Sequence, residues 1–339
     1  ALAAVEYYRY SADTEFADYA LPALRHQLGY LSQHIDDNGL LVTTANGFEG
    51  MDWAFDNGPS VGEVSYFNML YYHLLTEMNY LESHVGSTAQ AAEDLRLAAA
   101  LKARINDKLY SPSLKSYVYT DAKSNVIPQD ADVASVLWGI APTDEIATIL
   151  NTVKTELWRD HGTAPWSDNA GFRDVMSPYI TGFEVDARFA TGDSADAMTL
   201  LDRMWGYMLR SPLFTGTFWE ELQYDGSLWN GAHDSLAHGW SSGPTYQATQ
   251  YILGVQPVEP GYRTWTVAPR PSGLRWAKGT VPTPYGPITV SWRSSRSGFD
   301  LTVHAPAGTS GTITIPGTGS SEAVTVSGGS TRTIAVARH

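Results

Sequence analysis

The 339-residue sequence contains no cysteine. Disulfide bonds and thiolate metal sites are therefore excluded, whereas the compartment stays open. Basic residues are few, with 22 Lys and Arg against 36 Asp and Glu, and the net charge is −14. This balance argues against a nucleic-acid partner, which would require a basic face. No apolar run approaches the roughly 20 residues that a membrane-spanning helix requires.

Aromatic residues, in contrast, are abundant, with 11 Trp and 19 Tyr. Core packing accounts for many such residues in any globular protein, but carbohydrate-binding proteins share the same bias. The nine histidines are scattered and show no metal-ligand spacing. The sequence therefore predicts neither a metal nor a cofactor, and it favours a neutral ligand.

Apolar residues at helical spacing predict a mainly α-helical first part of the chain. The predicted helices are 13–35, 63–85, 88–109, 129–140, 143–157, 178–191, 193–210 and 237–254. The second and third of these should pair as a hairpin, and a short β-hairpin is predicted across Tyr117-Val-Tyr119. Asp130 and Asp132 are interpreted as charges in the first turn of a helix. Long aromatic loops alternate with short turns, which is typical of antiparallel helical hairpins.

The pattern changes after Gly254, where a linker rich in proline precedes strands separated by Gly, Pro and Ser turns. The predicted strands are 263–268, 288–293, 299–304, 312–315, 323–326 and 331–336. This part predicts a small antiparallel β-sandwich that caps the helical part. The predicted domains are accordingly 1–256 and 257–339.

Two neighbouring stretches combine aromatic and ionisable residues. The first holds Trp219 with the adjacent carboxylates Glu220 and Glu221, and the second holds His238 and Trp240. A pyranose site needs aromatic faces for the C–H groups of the sugar and charged partners for its hydroxyls. The structural alternative is a packed aromatic ring beside a solvated charge. The neighbouring motifs favour the site.

Several motifs, taken in order, resemble the catalytic and C-terminal domains of inverting α-L-rhamnosidases, a six-hairpin glycosidase family. The resemblance covers nearly the whole chain. The motifs that carry it are Met51-Asp-Trp53, Gln129 to Ile140, Ser177-Pro-Tyr179, Thr217-Phe-Trp-Glu220, Ser235-Leu-Ala-His-Gly-Trp240, Pro257 to Trp276 and Thr283-Pro-Tyr-Gly286.

The resemblance implies a twelve-helix (α/α)₆ barrel followed by a β-sandwich. About eight long helices are predicted here, and the acidic motif that holds the family's general acid has no match in residues 1–50. We therefore expect this chain to be the later part of a barrel that lacks its first helices. The expected partner is an N-terminal portion of the same protein, either covalent or as a separate chain.

The resemblance also implies roles for individual residues. Glu220 would be the general base that activates water, with Glu221 as the alternative. The implied sugar-contacting residues are Asp52, Trp53, Glu63, Trp219, His238 and Trp240. Structural roles compete with several of these assignments, namely a core histidine, a carboxylate that caps a loop and a helix N-terminal charge.

The predicted function is a hydrolase that removes terminal α-L-rhamnose from glycans or rhamnosides with inversion. Inverting hydrolysis uses an acid for the leaving oxygen and a base for water, roughly 6.5–9.5 Å apart. Two alternatives stay open, a rhamnose-glucuronate polysaccharide lyase and a non-catalytic carbohydrate-binding scaffold. The substrate class favours a secreted or extracellular protein, although import of small glycosides would allow a cytoplasmic one.

Overall fold

The computed structural model describes residues 1–44, 60–316 and 324–337, and these residues combine α-helices with β-sheets. Contacts divide the chain into two compact units. The first unit comprises Ala1 and Leu21–Gly243, and the second comprises Leu2–Ala20 and Pro244–His339. The domains predicted as 1–256 and 257–339 stay a prediction. None of the helices in the described ranges has the length and apolar character needed to cross a bilayer.

Ten α-helices form within the described residues. They are α1 Leu2–Ser11, α2 Thr14–Leu31, α3 Ser65–Val85, α4 Thr88–Lys108, α5 Gln129–Leu137, α6 Ile146–Thr152, α7 Pro178–Thr191, α8 Ser194–Leu201, α9 Tyr207–Arg210 and α10 Gly243–Gln247. Short π-helical segments extend α6 and α10 and join α8 to α9. Such segments insert an extra residue into the helix and shift its buried face.

Helices α3 and α4 pack on each other as the predicted hairpin. Gly86 ends α3, and the Ser87 side chain caps α4 by accepting a hydrogen bond from the Gln90 backbone at 3.4 Å. Helix α2 joins the hairpin through Arg25, whose guanidinium bonds Glu82 at 2.5 Å and Asp94 at 2.7 Å. Because both carboxylates are buried, this ion pair orients α2 on the hairpin.

Helix boundaries differ from the predicted ones where the backbone leaves the helical region. Helix α5 stops at Leu137 because Gly139 has a φ of 68°. The helix predicted over 237–254 begins only at Gly243, since His238 is extended and a 3₁₀ turn follows it. His238 therefore lies in a loop, where its side chain is free of the helical register.

Short two-stranded sheets connect the loops of the first unit. They pair β1 Tyr110–Ser111 with β2 Ser116–Tyr117, β3 Trp158–Arg159 with β4 Gly162–Thr163, and β5 Val175–Met176 with β6 Leu222–Gln223. The first pair includes Tyr117, but its turn precedes the stretch Tyr117-Val-Tyr119 across which the hairpin was predicted. The third pair matters for the site, because β6 begins directly after Glu220 and Glu221 and attaches them to the loop before α7.

The second unit contains two four-stranded sheets. Their strands are β7 Val255–Pro257, β8 Thr264–Val267, β9 Trp276–Val281, β10 Ile288–Ser294, β11 Gly298–His304, β12 Ser310–Ile313, β13 Val324–Ser327 and β14 Thr331–Ala337. The sheet orders are β14-β11-β10-β9 and β13-β12-β8-β7. Alternate residues of β10 and β11 are buried, so one face of their sheet is covered and the other meets solvent.

One pairing corrects the prediction of a purely antiparallel arrangement. Strand β12 pairs with β8 in parallel, with Ser310 opposite Thr264 and Ile313 opposite Val267. The reason is the connection: β9, β10 and β11 belong to the other sheet and separate β8 from β12 in sequence. Such a long crossover allows parallel pairing, which a tight hairpin cannot make.

Candidate active site

Backbone hydrogen bonds hold the two motif stretches against each other. The Glu220 N–H donates to the Ser235 carbonyl at 2.8 Å, and the His238 N–H donates to the Phe218 carbonyl at 3.0 Å. These two bonds run in opposite directions between the stretches, as in a short antiparallel ladder. Residues that are 18 positions apart in sequence are thereby fixed side by side.

Side chains reinforce the same arrangement. The Trp240 indole N–H donates to the Glu220 carbonyl at 2.9 Å, and the Ser241 hydroxyl donates to the Trp219 carbonyl at 2.5 Å. The Ser241 carbonyl in turn accepts from the Trp205 indole at 2.8 Å. Because Trp205 belongs to the helical segment between α8 and α9, the loop is attached to a packed helix.

Glu220 and His238 form the ionisable pair of the site. Nδ1 of His238 lies 3.7 Å from Oε2 of Glu220, and the two side chains are 30% and 18% exposed. This separation exceeds a direct hydrogen bond but lies within ion-pairing range. Both groups are therefore shielded from bulk water on most sides and still open to a ligand.

The doublet Glu220-Glu221 divides between two environments. Glu220 is partly exposed and faces His238, whereas Glu221 is 7% exposed and directly precedes the buried residue Leu222 of β6. Adjacent residues of an extended segment point to opposite sides, so only one of the two can face the same space as His238. The assignment of the base to Glu220 stays a prediction that this geometry favours.

Asp234 is a third ionisable residue at the site, and the sequence interpretation assigned it no role. Its Oδ2 accepts the Trp229 backbone N–H at 3.1 Å, while its buried Oδ1 has no hydrogen-bond partner among the described residues. Burial raises the pKa of Asp234 to about 6, and the negative charge of Glu220 adds to this effect. The sequence feature that could have indicated a role for Asp234 is its position at the start of the stretch that holds His238.

The raised pKa of Asp234 predicts a dependence of stability on pH. The pKa of Asp234 is higher in the folded state than the value of about 3.9 in the unfolded state. Its contribution to the free energy of unfolding is therefore fully present below about pH 3.9 and is lost as the pH rises to about 6. Asp234→Asn removes the titration. We expect the variant to gain on the order of 1 kcal/mol relative to the native protein between pH 4 and pH 7, because screening reduces the effect at a half-buried group.

Urea unfolding at a series of pH values measures this gain. The matched control is Asp225→Asn, because hydrogen bonds from Ser227 lower the pKa of the exposed Asp225. That control should show no gain over the same interval. Parallel stability curves for Asp234→Asn and the native protein would contradict the assignment.

A row of half-buried aromatic side chains leads away from the ionisable pair. The His238 ring lies 4.3 Å from Trp240, which stacks on Tyr179 at 5.5 Å between ring centroids. Tyr179 contacts Phe183 at 5.1 Å, and Phe183 contacts Trp138 at 6.4 Å. We call these five residues the aromatic row. The sequence placed Tyr179 and Trp138 within motifs that carry the resemblance and did not predict that they share one row.

Trp219 does not belong to this row. Its indole is fully buried, with 0% exposure, and packs edge-on against Tyr207 at 6.3 Å. No ring face is left for a sugar, so its place in the structure is that of a packing residue beneath the loop. The resemblance implied that Trp219 contacts the sugar, but successive side chains of an extended segment diverge, and that of Trp219 is buried.

Of the three remaining predicted contacts, only Glu63 lies within the described residues. The Glu63 Oε1 accepts from the Asn38 amide at 2.5 Å, and the Glu63 N–H donates to Asp121 at 3.0 Å. Burial raises the pKa of Glu63, reinforced by the nearby carboxylates Asp36 and Asp121. Asp52 and Trp53 lie outside the described residues. Within the described ranges, His, Asp and Glu side chains form no group suited to a metal ion.

The class of protein to which this chain is related is now evident. Residues 254–330 match the family described as the bacterial α-L-rhamnosidase C-terminal domain. A rhamnosidase of Bacillus sp. GL1 of known structure aligns with a TM-score of 0.73 and 29% identity, over 93% of this chain. The predicted resemblance to α-L-rhamnosidases, a class of glycosidase, is therefore confirmed.

Particular relatives come from Streptomyces avermitilis. An α-L-rhamnosidase of that organism is 24% identical over 319 residues, which are 91% of this chain and 28% of the relative. The structure of a Streptomyces avermitilis α-L-rhamnosidase complexed with L-rhamnose has a TM-score of 0.73 and 19% identity, and it covers 97% of this chain and 32% of that one. The chain thus spans about a third or less of the length of these relatives.

Proposed function

We propose that this chain provides the water-activating side of an inverting α-L-rhamnosidase site, with Glu220 as the general base. The observation that carries the proposal is the pair formed by Glu220 and His238, 3.7 Å apart and partly exposed at one end of the aromatic row. The names of the relatives support rhamnose as the sugar. Carboxylate, imidazole and aromatic faces together suit a pyranose.

The reaction assigns one proton transfer to each carboxyl group. Glu220 takes a proton from a water molecule as the oxygen of that water attacks the anomeric carbon. The new C–O bond forms on the face opposite the leaving group. The glycosidic C–O bond breaks as a carboxylic acid protonates the leaving oxygen. We place that acid in the part of the protein upstream of this chain, in line with the motif order of the family.

The sugar contacts complete the proposal. Trp240 and Tyr179 present stacked rings that suit the apolar face and the methyl group of L-rhamnose. His238, Glu63, Asp52 and Trp53 are the further sugar contacts of this proposal. Trp219 acts beneath them by packing, because its indole is buried.

The same proposal includes the architecture and the partners. The helices of the first unit form the later part of an (α/α)₆ six-hairpin barrel, which the α3–α4 hairpin supports. The two sheets of the second unit pack as a β-sandwich, which the single buried face of the β10–β11 sheet supports. The substrate is a rhamnosylated glycan or glycoside, and we propose a secreted or extracellular location.

The stereochemistry of the first product tests the proposed function. We expect an aryl α-L-rhamnoside to release β-L-rhamnose first, because the base directs water to the face opposite the leaving group. Proton NMR of the anomeric signal in the first minutes of reaction, before mutarotation, measures this. Release of α-L-rhamnose first would contradict inversion. An unsaturated uronate from a rhamnose-glucuronate polysaccharide would identify a lyase, and rhamnose binding without turnover by the protein with its upstream part would identify a binding scaffold.

A further inference from the structure

The solvent-facing side of one sheet in the second unit carries a depression that the α-L-rhamnosidase chemistry does not use. Its volume is about 340 Å³, which is within the range of small-ligand sites. It lies across β9, β10 and β11. Among the side chains that line it are Trp276, Lys278, Ser291, Arg293, Asp300 and Thr302.

Strand register aligns these side chains in two rows. Trp276 of β9 pairs with Arg293 of β10, which pairs with Asp300 of β11. Lys278, Ser291 and Thr302 form the next row in the same way. Opposite residues on one face lie about 5 Å apart, so each row extends roughly 10 Å across the sheet. An aromatic ring, two cations and several hydroxyl partners therefore share one small surface.

The exposure of Trp276 is the first sign of a ligand site. Its side chain is 58% exposed, although indole is among the most costly groups to leave in water. The other tryptophan that lines the depression, Trp292, is 2% exposed, because it points to the covered side of the same sheet. The same sheet therefore buries one tryptophan, Trp292, and leaves another, Trp276, facing solvent.

The polar groups around Trp276 keep their binding capacity. Arg293 and Asp300 are direct neighbours in register, yet within residues 1–44, 60–316 and 324–337 they form no salt bridge with each other. Lys278 also makes no ion pair in that part of the chain. Guanidinium, ammonium and carboxylate groups that do not neutralise one another remain available to a ligand.

We propose that this surface binds an acidic glycan, with one sugar ring stacked on Trp276 and a uronate carboxylate held by Arg293. Guanidinium binds carboxylate in a planar two-point geometry, and Lys278 adds a second positive charge. Asp300, Ser291 and Thr302 accept or donate hydrogen bonds to ring hydroxyls. The local excess of positive charge stands out in a chain of net charge −14, which indicates an anionic ligand. This inference does not rest on Glu220 or on hydrolysis.

Calorimetric titration of the 339-residue chain with polygalacturonate tests the proposal. We expect binding that Trp276→Ala weakens at least about tenfold, because the stacking face is lost. Arg293→Ala should weaken it about fivefold and reduce its dependence on salt, because one carboxylate contact is removed. Trp276→Tyr keeps an aromatic face and should restore most of the affinity. Neutral dextran should bind at least about tenfold more weakly.

Two variants serve as matched controls in the same unit. Tyr285→Ala removes another exposed aromatic ring, and Arg263→Ala removes another exposed cation, both outside the depression. Both should leave the affinity unchanged. Equal weakening by the control and test variants, or no binding at all, would overturn the proposal. Tighter binding of single-stranded DNA than of polygalacturonate would do so as well, because it would indicate a general polyanion surface.

Discussion

Glu220→Gln is expected to lower kcat for an aryl α-L-rhamnoside by about 10²–10⁴-fold, the usual loss when a general base is removed. Glutamine has nearly the same shape and keeps the backbone bonds to Ser235 and Trp240. It cannot take a proton from water. The affinity for rhamnose should stay within about tenfold, since only one of several sugar contacts changes. Steady-state kinetics and calorimetry on the form of the protein that hydrolyses the substrate measure both quantities.

Glu221→Gln and Glu93→Gln are the controls for this prediction. Glu221 tests the other member of the doublet, and Glu93 is an exposed carboxylate paired with Arg96 on α4. Neither substitution should change kcat by more than about threefold if Glu220 is the base. A large loss for Glu221→Gln with a small one for Glu220→Gln would reverse the assignment.

Glu184→Gln is expected to reduce the free energy of unfolding by about 3–5 kcal/mol. The Glu184 carboxylate is fully buried and accepts four hydrogen bonds. The donors are Arg188 at 2.9 Å, Gln129 and Trp158 at 2.8 Å, and Thr163 at 2.7 Å. An amide presents N–H groups to some of these donors and removes the charge that balances the buried Arg188. Urea unfolding followed by circular dichroism measures the loss.

The control for this prediction is again Glu93→Gln, because the Glu93–Arg96 pair is exposed. Exposed pairs of this kind often contribute nothing measurable to stability. Arg188 keeps a second partner in Asp193, at 2.7 Å, which limits the expected loss at Glu184. A loss below about 1 kcal/mol would show that Asp193 and solvent compensate the guanidinium without Glu184.

Local patterns in the sequence predicted several elements well. The helix predicted over 63–85 is α3, Ser65–Val85, and the helix predicted over 178–191 is α7, with Pro178 at its start. Helical periodicity and capping act within a few residues, so they can be identified from the sequence alone. Six of the eight strands of the second unit were similarly indicated by alternation of apolar and polar residues, whereas β7 and β9 were not predicted.

Burial and pairing were harder to predict. Asp132 was interpreted as a first-turn charge, but it is fully buried, accepts the Tyr117 backbone N–H at 2.8 Å and has its pKa raised by burial. Its partner belongs to the short hairpin that precedes α5, and no pattern within a helix encodes such a contact. The parallel pairing of β8 with β12 escaped prediction for the same reason, because both depend on residues distant in sequence.

The sequence by itself determined most of the helices and strands, the positions of the motifs and the resemblance to α-L-rhamnosidases, because these depend on residue type and local spacing. Only the tertiary structure decided that Glu220 and not Glu221 faces His238, and that Trp219 is buried while Trp240 joins the aromatic row. The physical reason is that the direction of a loop side chain depends on hydrogen bonds between distant stretches.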